Sequence, residues 1–211
     1  KLAGAAWGPA VEEQWGAATR QVDFYDVKMD VEALFGARGR RLRFEAAAHP
    51  ALHPGRSARI ELDGRQVGWI GELHPRWARQ SDLAHAPVVF ELDVAVLSEG
   101  ELPQVRELSR QPVVMRDLAL WVDAHVSVQS MLDTVAAAVK ADPQLAVVQD
   151  ARLFDVWREK PQDGQPATEK SLAFRFWLQD TEVTLDEARV ADCLARIKDA
   201  LVAAHGARQR A

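Results

Sequence analysis

His49, His53 and His74 are the residues whose type first invites chemistry. A His-x3-His pair ligates a metal when a helix carries both rings on one face. Pro50 and Pro54 exclude a helix through that stretch, and no cysteine or carboxylate cluster completes a ligand set. It reads instead as a loop whose prolines and Gly55 fix the turns, with Arg56 as a cap or ion-pair partner. Asp23, Asp26, Lys28 and Asp30 crowd an expected helix start, where carboxylates favour the helix dipole. Cys193, the only cysteine, falls inside a helical pattern, in the core or on an unreactive surface. No glycine-rich phosphate loop and no nucleophile elbow occurs. The expected catalytic, cofactor and metal sets are therefore empty.

Binding chemistry is richer in the second half. Ser171 to Gln179 alternates: Leu172, Phe174, Phe176 and Leu178 share one face, and Ala173, Arg175, Trp177 and Gln179 share the other. Period two with aromatic enrichment predicts a strand. Thr184 and Glu187 have capping-box spacing, which predicts a helix from Thr184. Leu185, Val190, Leu194, Ile197, Leu201 and Val202 mark its stripe, Gly206 stops it, and residues 207–210 form a short last edge strand. An earlier copy begins at Val113. Leu118, Leu120 and Val122 share a face with Arg116, and Asp117, Ala119 and Trp121 share the other. Ser127 opens a helix through Met131, Leu132, Val135, Ala138 and Val139 that Asp142-Pro143 closes. Ala146 to Arg158 is a further strand. The order is β-α-β-β-α-β, the split βαβ arrangement of ferredoxin-like domains, with both helices on one face of four antiparallel strands.

That arrangement puts Trp121, Arg175 and Trp177 on the surface away from the helices. Tryptophan and arginine on such an open sheet are how RNA-recognition folds stack bases. Arg208 and Arg210 on the last strand add phosphate contacts. Trp157 and Arg158 end the second strand, with Arg158 at the rim. The plainer alternative is that this face packs on another domain or subunit, since such interfaces are also enriched in these residues. Residues 109–211 hold 13 Lys and Arg against 15 Asp and Glu, so any RNA contact is local or assisted by a larger assembly.

The first half reads as α+β with antiparallel strands and few helices. Trp7 to Trp15 is helix or loop. Val27 to Phe35 is a helix, entered through residues 22–26 and ended by Gly36. Arg41 to Ala46 is a strand. Ser57 to Leu62 and Arg65 to Ile70 make a hairpin about Asp63-Gly64, a strong turn signal. A short helix covers Arg76 to Gln80, and Pro87 to Leu97 is a strand. Gly100 to Pro112 is a polar linker, which sets the domains at 1–108 and 109–211. The 211 residues carry a net charge of −5, which argues against general nucleic-acid binding. No apolar run approaches the roughly 20 residues of a membrane helix, and no secretory signal opens the chain. A single cysteine fits a reducing cytoplasm. The chain starts at Lys1 in strand-like material without an initiator Met, as a piece of a longer polypeptide would.

Several collinear stretches carry a resemblance. They are Val22-Asp23-Phe24-Tyr25-Asp26-Val27-Lys28-Met29-Asp30-Val31, His53-Pro54-Gly55-Arg56-Ser57-Ala58 and Gly68-Trp69-Ile70-Gly71-Glu72-Leu73-His74-Pro75. Further on come Pro112 with Arg116-Asp117-Leu118-Ala119, Leu153-Phe154-Asp155-Val156, and Lys170-Ser171-Leu172-Ala173 followed by Thr184-Leu185. Together they resemble the C-terminal part of the β subunit of bacterial phenylalanine–tRNA ligases. Met29 departs from the glycine expected between Lys28 and Asp30. The resemblance implies that the first domain is the end of a catalytic-like class II synthetase module that has lost activity and contacts an α subunit. It implies that the second is a ferredoxin-fold anticodon-binding domain. Arg43-Phe44-Glu45 echoes a class II ATP-binding signature, but the family places activation in the α subunit, and His74-Pro75 stands where a working third class II motif would continue to its arginine. ATP and Mg²⁺ are then expected in an α2β2 holoenzyme that charges tRNA with phenylalanine, with no cofactor in this stretch. The rival reading is a ferredoxin-like interaction or regulatory module without an RNA role, fused to a partner-binding α+β domain.

Overall fold

The computed structural model describes residues 1–36, 42–98, 108–159 and 167–210. Two compact units, Lys1–Val105 and Arg106–Ala211, each enclose their own core. Residues 99–107, most of the expected linker, lie outside the described residues, as does Arg41 at the start of an expected strand.

In the first unit, strands β1 (Leu2–Ala6), β2 (Arg43–Ala46), β3 (Leu52–Leu62), β4 (Arg65–Leu73) and β5 (Val88–Leu92) form an antiparallel sheet in the order β1-β5-β4-β3-β2. Helix α1 (Phe24–Gly36) buries Val27, Val31 and Phe35 in one core with Ile60, Ile70, Val88 and Leu92 of the sheet. Its start explains the acidic cluster. The Asp23 side chain accepts from the Tyr25 and Asp26 amides at 2.8 and 3.2 Å, and Asp26 accepts from the Asp23 amide at 2.8 Å. This reciprocal pattern satisfies amides that a helix start leaves unpaired. Arg20 grips Asp26 through two 2.6 Å bonds. That guanidinium, with the Asp23 amide, holds the Asp26 carboxyl down at about 2.

The hairpin at Asp63-Gly64 forms as expected, with φ of 51° and 77° at the two turn residues. The expected loop through His53-Pro54-Gly55 is extended chain instead. Strand β3 begins at Leu52 and pairs Leu52 with Leu73, then Ser57 with Gly71, so the intervening residues bulge. A bulge tolerates the amide that proline lacks, which is why Pro54 excludes a helix without excluding a strand. At the far end, β5 stops at Leu92, and the expected strand to Leu97 turns into a short helix α3 (Ala95–Ser98). Asp93 accepts from the Ala95 amide at 3.2 Å and opens that turn, which carries Val96 into the core. Trp7 to Trp15 is irregular, tied by a bridge between Pro9 and Gln21. Helix α2 (Pro75–Gln80) has Pro75 in its first turn and His74 as its cap.

The second unit is β6 (Val114–Asp123), α4 (Val128–Ala141), β7 (Val148–Arg158), β8 (Glu169–Leu178), α5 (Glu187–His205) and β9 (Arg208–Gln209). The antiparallel order β7-β8-β6-β9 is the ferredoxin-like sheet that the pattern predicts. Leu118, Leu120, Val122, Leu172, Phe174, Phe176 and Leu178 are buried with Met131 and Val135 of α4 and Val190, Cys193, Ile197 and Leu201 of α5. Ser127 caps α4 by accepting from the Ser130 amide, and Gly206 ends α5 with φ of 62°. The capping box at Thr184 does not form. Asp186 is the cap, accepting from the Arg189 amide at 2.7 Å, because the Thr184 hydroxyl donates instead to Gln111 Oε1 at 2.7 Å. Val202, expected in the buried stripe, is 41% exposed, and Cys193 faces the core. Burial pushes the Cys193 thiol up to about 11, so it is an inert core group.

Two glycines of β4 bear directly on packing. A Cβ on Gly68 would lie 2.1 Å from the Glu91 carbonyl oxygen on β5, and one on Gly71 would lie 2.7 Å from that of Arg56 on β3. Both neighbours are backbone, so the strands themselves must move apart. Gly68→Ala should therefore destabilise the first unit by about 1–3 kcal/mol, the usual scale for overpacking. Chemical denaturation of the chain checks this; an unchanged midpoint would contradict the close strand approach.

Candidate nucleic-acid interface

Cross-strand partners in an antiparallel sheet point to the same face. The register therefore assigns every side chain of the surface away from the helices. Trp121 on β6 and Trp157 on β7 both stand opposite Ser171 on β8. The small serine lets the two indoles meet edge to face, with centroids 5.2 Å apart and planes at 89°. The Arg210 guanidinium lies over both rings, 5.8 Å from Trp121 and 5.7 Å from Trp157, and bonds Ser171 Oγ at 3.4 Å. Ala119, Ala173 and Asp155 make the next row, a low floor. Asp117, Arg175 and Arg152 make the row after it, and Met115, Trp177 and Asp150 the row beyond.

The strand phase predicted for Trp121, Arg175 and Trp177 is the one observed. Trp121 and Trp177 do not, however, form one platform. They occupy neighbouring strands but opposite ends, six residues apart in register, or roughly 20 Å at strand spacing. The guanidinium over Trp177 belongs to Arg152, at 5.1 Å, and Arg175 lies 5.0 Å from the Phe154 ring. Two aromatic–arginine stations thus flank a floor of small residues.

Arg152 and Phe154 were not singled out by the pattern because β7 is irregular. Its pairing slips between Val148 and Asp150 and again between Leu153 and Asp155. The second slip leaves Phe154 as the extra residue and brings it to the ring contact with Arg175. Simple alternation cannot carry phase through a bulge. The adjacent Phe154-Asp155 pair after Leu153 is the only local sign of it.

The electrostatics of this face are self-contained. Arg175 donates from Nε and Nη2 to the two carboxylate oxygens of Asp117, both at 2.8 Å. Arg152 donates to Asp150 at 2.7 Å. Arg208 holds both oxygens of Glu169 at 2.6 and 2.7 Å. Arg158 belongs elsewhere. It stands opposite Lys170, in the phase of the helix face, at the outer edge of β7. Burial first, then the Arg158 charge, lower the Lys170 ammonium pKa, while its Nζ donates to the Ala124 carbonyl at 2.9 Å.

His49, His53 and His74 are used locally. Nδ1 of His49 accepts from the Ala51 amide, that of His53 from the Gly55 amide, and that of His74 from the Arg76 amide. His49 also stacks against Trp69, with centroids 4.9 Å apart. Among the described residues no group of three or more His, Cys, Asp and Glu side chains is placed to hold a metal. Arg43 and Glu45 pair with one another at 2.8 Å, and Arg59 also reaches Glu45.

A ferredoxin-like fold whose open sheet face carries tryptophans and arginines defines the class of the second unit. Comparison with known proteins narrows this. Residues 1–94 match the family described as the phenylalanyl-tRNA synthetase beta chain CLM domain, and residues 109–210 match the ferredoxin-fold anticodon binding domain. The chain is 77% identical over 210 residues to the phenylalanine–tRNA ligase beta subunit of Bordetella parapertussis, covering all of this chain and 26% of that protein. It is 49% identical over 212 residues to that of Burkholderia pseudomallei and 47% identical over 211 to that of Dechloromonas aromatica, again along its whole length. The chain belongs to the phenylalanyl-tRNA synthetase β-chain family, and it spans about a quarter of the length of the relatives it matches.

The Asp117–Arg175 pair can be tested by titration. Its hydrogen bonds hold the Asp117 carboxyl below the ordinary aspartate range. A depressed folded-state value means that the pair stabilises the fold above the ordinary aspartate pKa, and that this is lost as the pH falls through the folded value. Arg175→Gln should return Asp117 to the ordinary range in a carbon-detected NMR titration. An unmoved Asp117 midpoint would show that the bidentate pair is not formed in solution.

Proposed function

We propose that this chain supplies tRNA-binding and subunit-contact surfaces to a phenylalanine–tRNA ligase, an enzyme that charges tRNA with phenylalanine. The observation that carries this reading is the open face of the second unit. Its aromatic–arginine stations lie on a domain that matches the anticodon-binding family. That match favours RNA over the rival interaction module. Residues 109–211 act as the RNA-binding domain, and residues 1–108 as a catalytic-like scaffold that meets the α subunit of an α2β2 assembly. Trp121, Trp177, Arg175, Arg208 and Arg210 make the contacts on the face, and Arg158 reaches only RNA that passes around the β7 edge. ATP and Mg²⁺ serve the holoenzyme, and the bond-making residues belong to the α subunit. The compartment is the cytoplasm, where such charging takes place. No helix of the structure is long and apolar enough to cross a membrane among the described residues.

The physical basis is stacking. A base on an aromatic ring is worth roughly 1–3 kcal/mol and needs no net positive charge on the domain. Trp177→Ala and Trp121→Ala in the intact α/β enzyme should each weaken tRNA binding by about that amount without lowering the melting temperature. Arg175→Ala should weaken it less, by an amount that shrinks as salt rises. Unchanged tRNA affinity in both tryptophan variants, measured by filter binding, would overturn the RNA reading. The domain assignment has its own check: a chain beginning at Ser109 should melt in one cooperative transition, and a featureless melt would contradict it.

A further inference from the structure

Three of the four arginines on the open face spend their guanidinium groups on a carboxylate of the same sheet. The pairs are Arg175 with Asp117, Arg152 with Asp150 and Arg208 with Glu169. Arg210 differs. Among the described residues no carboxylate pairs with it, and it lies over Trp121 and Trp157. We propose that Asp117, Asp150 and Glu169 are specificity-determining residues that cancel the face's attraction for bare phosphate backbone, so that RNA is held only where its bases stack. The inference rests on the RNA reading of this face and deepens it.

The argument is one of competing charges. Two of the pairs are solvent-accessible on both sides, Arg175 with Asp117 at 40% and 45% and Arg208 with Glu169 at 64% and 46%, while in the third Arg152 is exposed over a largely buried Asp150. Exposed pairs hold weakly, so a phosphate can displace the carboxylate. The displaced carboxylate stays anchored to the sheet and repels the incoming anion. A polyanion without correctly placed bases therefore gains little from these three arginines. Arg210 is spared this competition beside two indoles, an exposed Trp157 and a half-buried Trp121, which couples its phosphate contact to base placement. Specificity then comes from a built-in repulsion as much as from attraction.

The experiment uses the α/β holoenzyme with two probes, cognate tRNA and single-stranded oligouridylate, whose weakly stacking bases report backbone attraction. Binding is measured from about 50 to about 200 mM salt, the range over which counterion release is steep. Asp117→Asn and Glu169→Gln are near-isosteric, act on different strands and are checked by their melting temperatures. Each should raise oligouridylate affinity about threefold at the lower salt and steepen the plot of log affinity against log salt by about 0.7, the value for one added phosphate contact on a single strand. Cognate tRNA binding should change less, so discrimination falls. Unchanged oligouridylate affinity and salt slope in both variants would overturn the inference. Trp177→Ala separates it from the reading on which it rests. If that variant weakens tRNA binding while the carboxylate variants do nothing, the inference alone fails. If both it and Trp121→Ala leave tRNA binding intact, the RNA reading fails, and the inference with it.

Discussion

The second unit depends on the pairing of β6 with β8. Ten residues, Val114 to Asp123, pair without interruption with Leu178 to Glu169. Because side chains alternate, this single register divides the unit in two. Leu118, Leu120, Phe174 and Phe176 enter the core, and Asp117, Trp121, Arg175 and Trp177 take the open face. A slip of β8 by one residue would bury Arg175 and Trp177 and expose Phe174 and Phe176. Each Phe removed from such a core is worth about 3–5 kcal/mol, so the core enforces the register and the register presents the tryptophans and arginines. Fold and function here share one constraint.

The same constraint gives the proposed RNA reading its physical basis on a domain without net positive charge. Most of the charge is arranged in ion pairs within the sheet rather than as a basic patch, and the aromatic rings lie at the two ends of a floor set by Ala119 and Ala173. Long-range attraction is weak on such a surface, and contact must be made at short range by ring faces.

The chain makes legible whatever follows from strict periodicity. The alternation of β8 and β6, the helix stripe of α4, that of α5 apart from Val202, the Gly206 stop and the Asp63-Gly64 turn appear where the pattern puts them. What the pattern loses, it loses at irregular points. Pro54 looks like a loop marker but sits in a strand bulge, and Asp93 turns β5 into α3 where alternation alone continues the strand. Thr184 and Asp186 are both competent caps, and only the tertiary bond to Gln111 decides between them. In the candidate site, the phase of Trp121, Arg175 and Trp177 was legible. The separation of the two tryptophans was not, since it depends on strand register, and the bulge of β7 hid Phe154 and Arg152.

Crosslinking of the α/β holoenzyme to its tRNA tests the central claim most directly, with the crosslinked peptides mapped by mass spectrometry. Ultraviolet crosslinks form where aromatic side chains touch bases. The account predicts crosslinked residues on the open face, at Trp121, Trp157, Phe154 or Trp177, and their loss when competing tRNA is added. Crosslinks confined to α4 and α5, with the open face protected by protein instead, would contradict it.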